Sequence, residues 1–394
     1  MTLVSTSVII AGARTPMGKL LGSLSGYSAM DLGGVAIAGA LAKANLDPVH
    51  VDYVVMGHVI QAGAGQNPAR QAAVKGGVPM EVPAITLNKV CLSGINAIAL
   101  ADQLIRAGEA SVVIAGGMES MTNAPHVVPN ARGEIKYGTI HFTHSDGLDS
   151  IANDALSCAF EHMGMGDATE SHNATYRLTR EEQDHVAMLS HQRAANAIST
   201  GIFAEEIVAV GDFSVDEGVR PTTSMESLAK LRPAFAPEGT ITAGNASQIS
   251  DGAAVVIVMS KERATSLGIS WIAEIVAHGN VAGPDASLHQ QPANAIEAAA
   301  LKAGIEVEDI DLFEINEAFA AVSVVSMRQL GIEEERVNVN GGAIALGHPV
   351  GMSGARLVLH LALELGRRGG GIGAAALCGG GGQGDALIIR VSGA

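Results

Sequence analysis

The stretch VNVNGGAIALGHPVGMSG, residues 337–354, decides how the chain is read. It predicts a short strand at its head, then a tight glycine-bearing turn. A helix follows, opening at GMSG and running on through ARLVLHLALELGRR. His348 sits in the turn with Pro349 behind it. Proline fixes its own φ and restricts the residue before it, so the imidazole is held in place. GMSG (351–354) has a counterpart in CLSG (91–94), and each opens a helix of small residues that leads to a short apolar strand and then glycines. A second match, LDPVHVDYV (46–54) with IEVEDIDLF (305–313), lies at almost the same offset. One strand–helix plan therefore occurs twice. Two such halves packed together bury the helices opened by CLSG and GMSG between their sheets, which accounts for the small side chains.

Outward from these turns, the apolar runs Val4–Ala11, Val51–Val59, Ala84–Val90 and Ser111–Ala115 read as strands. Ser28–Asn45 and Asn67–Lys75 have helical spacing, with Ser28 or Asp31 as a cap. After about Met118 the alternation is lost, and Pro, Asn, His, Thr and Met become frequent up to Ile249. This is the composition of a large insertion with short helices, Arg180–Thr200 among them. Alternation resumes with strands Ala253–Met259 and Trp271–Val276, helix Ala293–Ala303, strand Asp311–Ile315 and helix Glu317–Leu330. Strands Ile372–Leu377 and Ala386–Val391 close the chain. Alternating strands and helices favour parallel sheets covered on both faces.

The chain has 394 residues, too many for one ordinary core, so two or three domains are expected. Charged residues make up 16%, against an average of about 25%. Low charge with 48 glycines and 3% aromatics points to close backbone packing and to surface buried in an oligomer. The formal net charge of −16 argues against nucleic acid as a partner, and any anionic ligand needs a local basic patch. No apolar run reaches about 18 residues, so no membrane span is expected. The first residues lack the pattern of a signal or transit peptide, which makes cytoplasm the expected location. Three cysteines without metal spacing indicate neither a disulfide framework nor a zinc site.

Cys91 stands at a helix start, where free N–H groups and the helix dipole favour a thiolate, so a lowered pKa is expected. A thiolate attacks a carbonyl or thioester carbon. Cys378 ends a strand and is followed by GGGGQG (379–384), whose exposed N–H groups suit an oxyanion hole. A phosphate loop would need a following Gly-Lys-Ser/Thr, which is missing here. Asn316 ends the strand DLFEI, where its amide either orients an oxygen or caps a helix. Glu317 reads as a first-turn carboxylate and nothing more.

The segments NKVCLSG, GGMESM, NEAFA, GGAIALGHPVGMSG and CGGGGQG together resemble the signature segments of the thiolase family, over essentially the whole chain and most closely its short-chain acetyl-CoA acetyltransferases. The resemblance implies an α/β fold of two repeated halves in five layers, αβαβα. Residues 1–118 would form the N-terminal half, completed at about 250–270. Residues 119–249 would form a loop domain holding coenzyme A, and 271–394 the C-terminal half. It implies Cys91 as the acyl-carrying nucleophile, His348 as its base and Cys378 as the second acid/base. Asn316 would hold a water at the thioester oxygen, and the N–H groups of Cys91 and Gly380 a second oxyanion hole. Leu156, His162 and Met163 match positions for the pantetheine and acyl chain. Arg220 and Lys230 match basic positions near the nucleotide. Phe235, Ala243, Gly244 and Ser247 match one wall of the tunnel, and Ala318 and Phe319 the other. Leu288, in a Leu-His-Gln-Gln segment before Pro292, departs from the usual Gly-rich stretch and puts acyl length in question.

The resemblance thus implies condensation of two acetyl-CoA to acetoacetyl-CoA and CoA, with coenzyme A as substrate and no separate cofactor, in a homotetramer. The alternatives are a degradative 3-ketoacyl-CoA thiolase of broader chain length, and a non-catalytic acyl-CoA- or lipid-binding relative.

Overall fold

The computed structural model describes residues 6–129, 131, 137 and 147–393; Val4 and Ser5 of the expected first strand lie outside them. Nine strands form the core: β1 (Ser7–Arg14), β2 (Tyr53–Gly57), β3 (Ala84–Leu87), β4 (Val112–Ser120), β5 (Ser250–Ser260), β6 (Ala273–Ala282), β7 (Leu312–Ile315), β8 (Gly371–Gly379) and β9 (Gln383–Val391). They join in the order β7-β8-β9-β6-β1-β5-β4-β2-β3, and a two-residue strand, Gly18–Lys19, pairs with β5. The halves meet where β1 pairs β6, through Val8↔Glu274 and Ile9↔Ala273 only. The helices that matter here are α1 (Ala29–Ala44), α2 (Pro68–Lys75), α3 (Ser93–Arg106), α4 (Arg180–Ser199), α5 (Gln291–Ala303), α6 (Ala320–Leu330) and α7 (Ser353–Arg367).

Five layers follow from the two-residue period of a strand. In the first half, Val8, Val54, Met56, Ile114, Val255 and Ile257 face outward and are covered by α1 and α2. Their neighbours Ile9, Val55, Val113, Val256 and Val258 face inward. In the second half, Phe313, Ile315, Ala374, Ala376 and Ile388 pack outward on α5. Leu312, Ala375, Leu377, Leu387 and Ile389 face inward and share one cluster with α3, α7 and the first half's inner face. Both halves of the sheet are thus buried on both sides, as their unbroken apolar runs require.

The central helices touch at their first turns. A Cβ on Gly94 would lie 2.9 Å from the Ala355 nitrogen and the Gly351 carbonyl, and one on Gly354 only 2.4 Å from the Ile95 nitrogen. Glycine is needed here because backbone meets backbone. α7 is buried all round, so its polar residues need partners. Arg356 pairs with Glu314 at 2.8 Å and His360 with Glu206 at 2.9 Å.

Three expectations change. The sheet is mixed, with parallel pairs only at β2–β3, β2–β4 and β7–β8. β8 and β9 are joined by three glycines, a turn open only to antiparallel neighbours. The long return through the insertion likewise lays β5 antiparallel to β4. The strand expected at Val337 shrinks to one parallel bridge, Val337↔Phe313, where the first half has the whole of β3. Asn338 replaces the missing ladder: its side chain accepts from the Ile315 N–H and donates to the Ile315 carbonyl. Finally, Glu317 is no first-turn residue. α6 begins at Ala320, and the buried Glu317 carboxylate accepts from Ser190 of α4, from Asn338 and from the Ile344 N–H.

No helix among the described residues is long and apolar enough to cross a membrane.

Candidate active site

A cavity of about 490 Å³ opens where the two halves and the insertion meet, and Cys91, His348 and Cys378 all line it. Each arrives on a different element. Cys91 follows a turn in which Val90 has φ +50°, an uncommon state for a β-branched residue. The turn is tied by Ser93, whose hydroxyl donates to the Val90 carbonyl at 2.7 Å and accepts from the Lys89 N–H at 2.8 Å. α3 starts at Ser93 with Leu92 as its cap residue, so Cys91 stands just outside the helix.

The backbone N–H groups of Cys91 itself and of Gly380 favour a thiolate at Cys91. Burial nevertheless outweighs them, with some repulsion from Glu119, and the thiol is pushed up to about 11. This reverses the lowered pKa expected from the helix start. The sulfur faces an apolar cavity wall that includes Met121, Leu156 and Phe319, where a thiolate loses its hydration. Burial, and then the neighbouring Cys91, raise the Cys378 thiol well above its ordinary range. Both sulfurs therefore rest protonated.

His348 is set in its turn by several bonds. Its N–H donates to the Gln248 carbonyl, and the Gln248 side chain holds the Ile344 carbonyl before it. Glu119, from the GGMES segment, accepts from the Gly351 N–H at 3.0 Å and from the N–H groups of Val59 and Ile60. Gly351 has no alternative residue, since a Cβ would lie 2.6 Å from the Met118 carbonyl and 2.7 Å from Glu119.

The imidazole tautomer follows from one hydroxyl. Ser353 Oγ gives its proton to the Pro349 carbonyl at 3.0 Å, so at 2.6 Å it accepts from His348 Nδ1–H. Nε2 is then the free base. Burial, helped by the Arg356 charge, pushes the imidazole down to about 4, so it is neutral at pH 7. Asn316 is fully buried at the end of β7, with Nδ2 3.4 Å from His348 Nε2. The arrangement offers a neutral base, a protonated nucleophile, a second thiol and the Gly380 backbone around one cavity.

Of the residues matched to the acyl and pantetheine positions, Leu156, Phe235, Ala243, Ser247, Leu288, Ala318 and Phe319 line the cavity, as does Gly380. Gly244 is buried beside it, where its N–H donates to Thr242 Oγ1. His162 and Met163 do not line it. Met163 is exposed and pairs with Cys158 in a two-residue ladder, and His162 has φ +54° in the connecting turn. Met165, the first residue of the following helix, takes the expected place of Met163. Arg220 is exposed, with its backbone N–H donating to His191 Nδ1, and Lys230 is exposed and paired with Glu226 at 2.7 Å; neither reaches the cavity wall. Ser353 and Glu119 were missed as site residues although both fall in quoted segments. The spacing of Ser353 five residues after His348 acquires meaning only from the turn between them.

Comparison with known proteins agrees with this geometry. The model of the thiolase N-terminal domain matches residues 7–262, and that of the thiolase C-terminal domain residues 269–391. A protein of Mycobacterium leprae named probable acetyl-CoA acetyltransferase is 59% identical, over 98% of this chain and 100% of its own. Two solved structures superpose with TM-scores of 0.93 at 38% identity. One is an acetyl-CoA acetyltransferase of Bacillus anthracis, covering 98% of this chain and 99% of its own. The other is human mitochondrial 3-ketoacyl-CoA thiolase, covering 99% and 100%. Two family domains in tandem, on a doubled α/β frame with two thiols and an imidazole around one cavity, make this chain a member of the thiolase family of acyltransferases.

Proposed function

We propose that the protein condenses two molecules of acetyl-CoA to acetoacetyl-CoA and CoA, and runs in reverse as a thiolase. The observation that carries this reading is the meeting of Cys91, His348 and Cys378 on one cavity. In the first half-reaction, Cys91 gives its proton to His348 Nε2 and attacks the thioester carbon. The N–H groups of Cys91 and Gly380 stabilise the oxyanion. CoA leaves with the proton from His348, and the acetyl group stays on sulfur. In the second, Cys378 first passes its proton to His348 Nε2, and the resulting thiolate takes a proton from the methyl group of another acetyl-CoA. His348 and Asn316, 3.4 Å apart, address the oxygen of the resulting enolate. The enolate attacks the acetyl group on Cys91, forming the carbon–carbon bond and breaking the carbon–sulfur bond, and the freed thiolate takes back the proton from His348. Exchanging one thioester for another keeps the acylation step near thermoneutral.

The neutral resting pair supports this order of events. With the thiol near 11 and the imidazole near 4, charge separates only as substrate reacts. Coenzyme A enters as substrate and product, and no further cofactor is invoked. In this reading Arg220 meets the nucleotide end of CoA, and the protein works as a dimer of dimers.

A second reading, a 3-ketoacyl-CoA thiolase of broader chain length, is favoured by the size and apolar lining of the cavity. Cleavage rates with acetoacetyl-CoA and 3-ketohexadecanoyl-CoA decide between them. Faster cleavage of the long substrate would reject the first reading.

A further inference from the structure

One buried carboxylate grips the nucleophile turn from both sides. Asp385, on β9, is fully buried. Its Oδ1 accepts from Lys89 Nζ at 2.7 Å and from Asn280 Nδ2 at 2.6 Å, and its Oδ2 from Asn96 Nδ2 at 3.2 Å. His278 Nε2 lies 3.5 Å from Oδ1. Lys89 stands two residues before Cys91, and Asn96 in the first turns of α3 after it. Between them lies Val90 in its unfavourable φ +50°. Asp385 also stands opposite Leu377, next to the Cys378↔Gly384 pair, in the hairpin that carries the second thiol and the Gly380 N–H. The carboxylate therefore links the segment bearing one sulfur to the hairpin bearing the other, across the join between the two halves. Lys89 is largely buried, with 18% of its side chain exposed, so its charge requires this partner.

We infer that Asp385, through Lys89 and Asn96, is the positioning residue that sets Cys91 against Cys378 and the Gly380 N–H. The inference rests on the acetyl-transfer reading for its kinetic arm. Its second arm, alkylation of Cys91, is independent of that reading. Neither Lys89 nor Asp385 touches the reacting atoms; each acts through the backbone that carries Cys91. A shift of about 1 Å in a reacting group costs on the order of 10²-fold in rate.

The test uses the full chain with Lys89→Met, Lys89→Arg and Asp385→Asn, and Arg106→Met as a control. The control removes the Arg106–Asp102 pair on the same helix, away from the cavity. Exchange of label between acetyl-CoA and CoA gives kcat and KM. Peptide mass spectrometry gives the iodoacetamide rate at Cys91, and thermal unfolding gives stability. For K89M and D385N we expect kcat to fall on the order of 10²-fold with KM within about twofold, and the alkylation rate to fall about tenfold or more. K89R is expected to recover most of both, and R106M to change neither. If K89M and D385N fail to fold, Asn96→Ala, which deletes one neutral contact, is expected to show a smaller fall of about three- to tenfold in both rates. Wild-type alkylation and kcat in a folded K89M or N96A overturn the inference, as does an equal loss in R106M. A wild-type protein that alkylates normally but exchanges no acetyl group overturns the proposed function and leaves the alkylation arm to decide this inference.

Discussion

The turns CLSG and GMSG are the same structural device put to different uses. Both open a central helix, and in both a serine hydroxyl donates back into the turn, Ser93 to Val90 and Ser353 to Pro349. Where the first carries Cys91, the second carries Gly351, and the close approach of Met118 and Glu119 leaves no room there for a side chain. In return the second turn presents His348, whose Nδ1 uses the serine oxygen that in the first turn accepts from the Lys89 N–H. The strand register makes the same point: Tyr53↔Val113 answers Leu312↔Gly373, which sets Met118 against Cys378. In the proposed mechanism the first half supplies the atom that is acylated, and the second supplies the groups that move protons. The frame is repeated, and the matched positions carry different groups.

Removing the reactive atom of the first turn has the largest expected effect. Cys91→Ala is expected to abolish both acetyl-enzyme and turnover, and a radiolabel from acetyl-CoA retained on this variant would break the division of roles. Cys378→Ala comes next. It is expected to keep the label, because acylation needs only the first sulfur and His348, but to lose condensation; absence of label would place Cys378 in the first half-reaction.

The two serines offer a direct contrast. Ser353→Ala frees the imidazole to take the other tautomer, and we expect kcat to fall on the order of 10²-fold. Ser93→Ala is expected to cost about 1 kcal/mol of stability, measured by denaturant unfolding, with a much smaller loss of rate. Equal kinetic losses would show that both serines merely shape their turns.

The pH dependence sharpens the contrast further. His348 is pushed down to about 4, so it remains an unprotonated base as pH falls through 6.5, and the acid limb of acylation should lie near pH 4 to 5. Cys91 is pushed up to about 11, so its alkylation should rise through neutral pH without a plateau. An acid limb at or above pH 6.5 would show that the imidazole is not lowered, and an alkylation plateau near pH 7 would show a resting thiolate. The smallest effect lies outside both turns: Arg220→Ala should raise KM for CoA about fivefold with kcat nearly unchanged, as suits the loss of one exposed ionic contact of about 1 kcal/mol. A fall in kcat alone would remove Arg220 from the CoA site.

Much of the frame was legible because it is local. Unbroken apolar runs gave β1, β4 and β5, and small residues after CLSG and GMSG gave the buried helix pair. Strand direction was not, since it depends on how residues 121–249 return the chain. The strand expected at Val337 failed because Asn338 satisfies the edge of β7 with a side chain. In the site, the glycine settings of Cys91, His348 and Cys378 marked them out. The acidity of Cys91 did not follow from its place at a helix start, because desolvation comes from residues far away in the chain, such as Leu156 and Val350. Met163 and Met165 lie two apart in HMGM, and only the start of the following helix decides which one meets the cavity.

The close packing of Gly94 on Gly351 and Ala355, and of Gly354 on Ile95, has one more consequence. Backbone pressed on backbone at the centre of the molecule permits no sliding of one half past the other, so the catalytic floor cannot widen for a bulkier guest. Adaptation to different acyl groups has to come from the roof, where residues such as Met165, Phe235 and Leu288 close over the chamber, and that is where tailoring of substrate choice should begin.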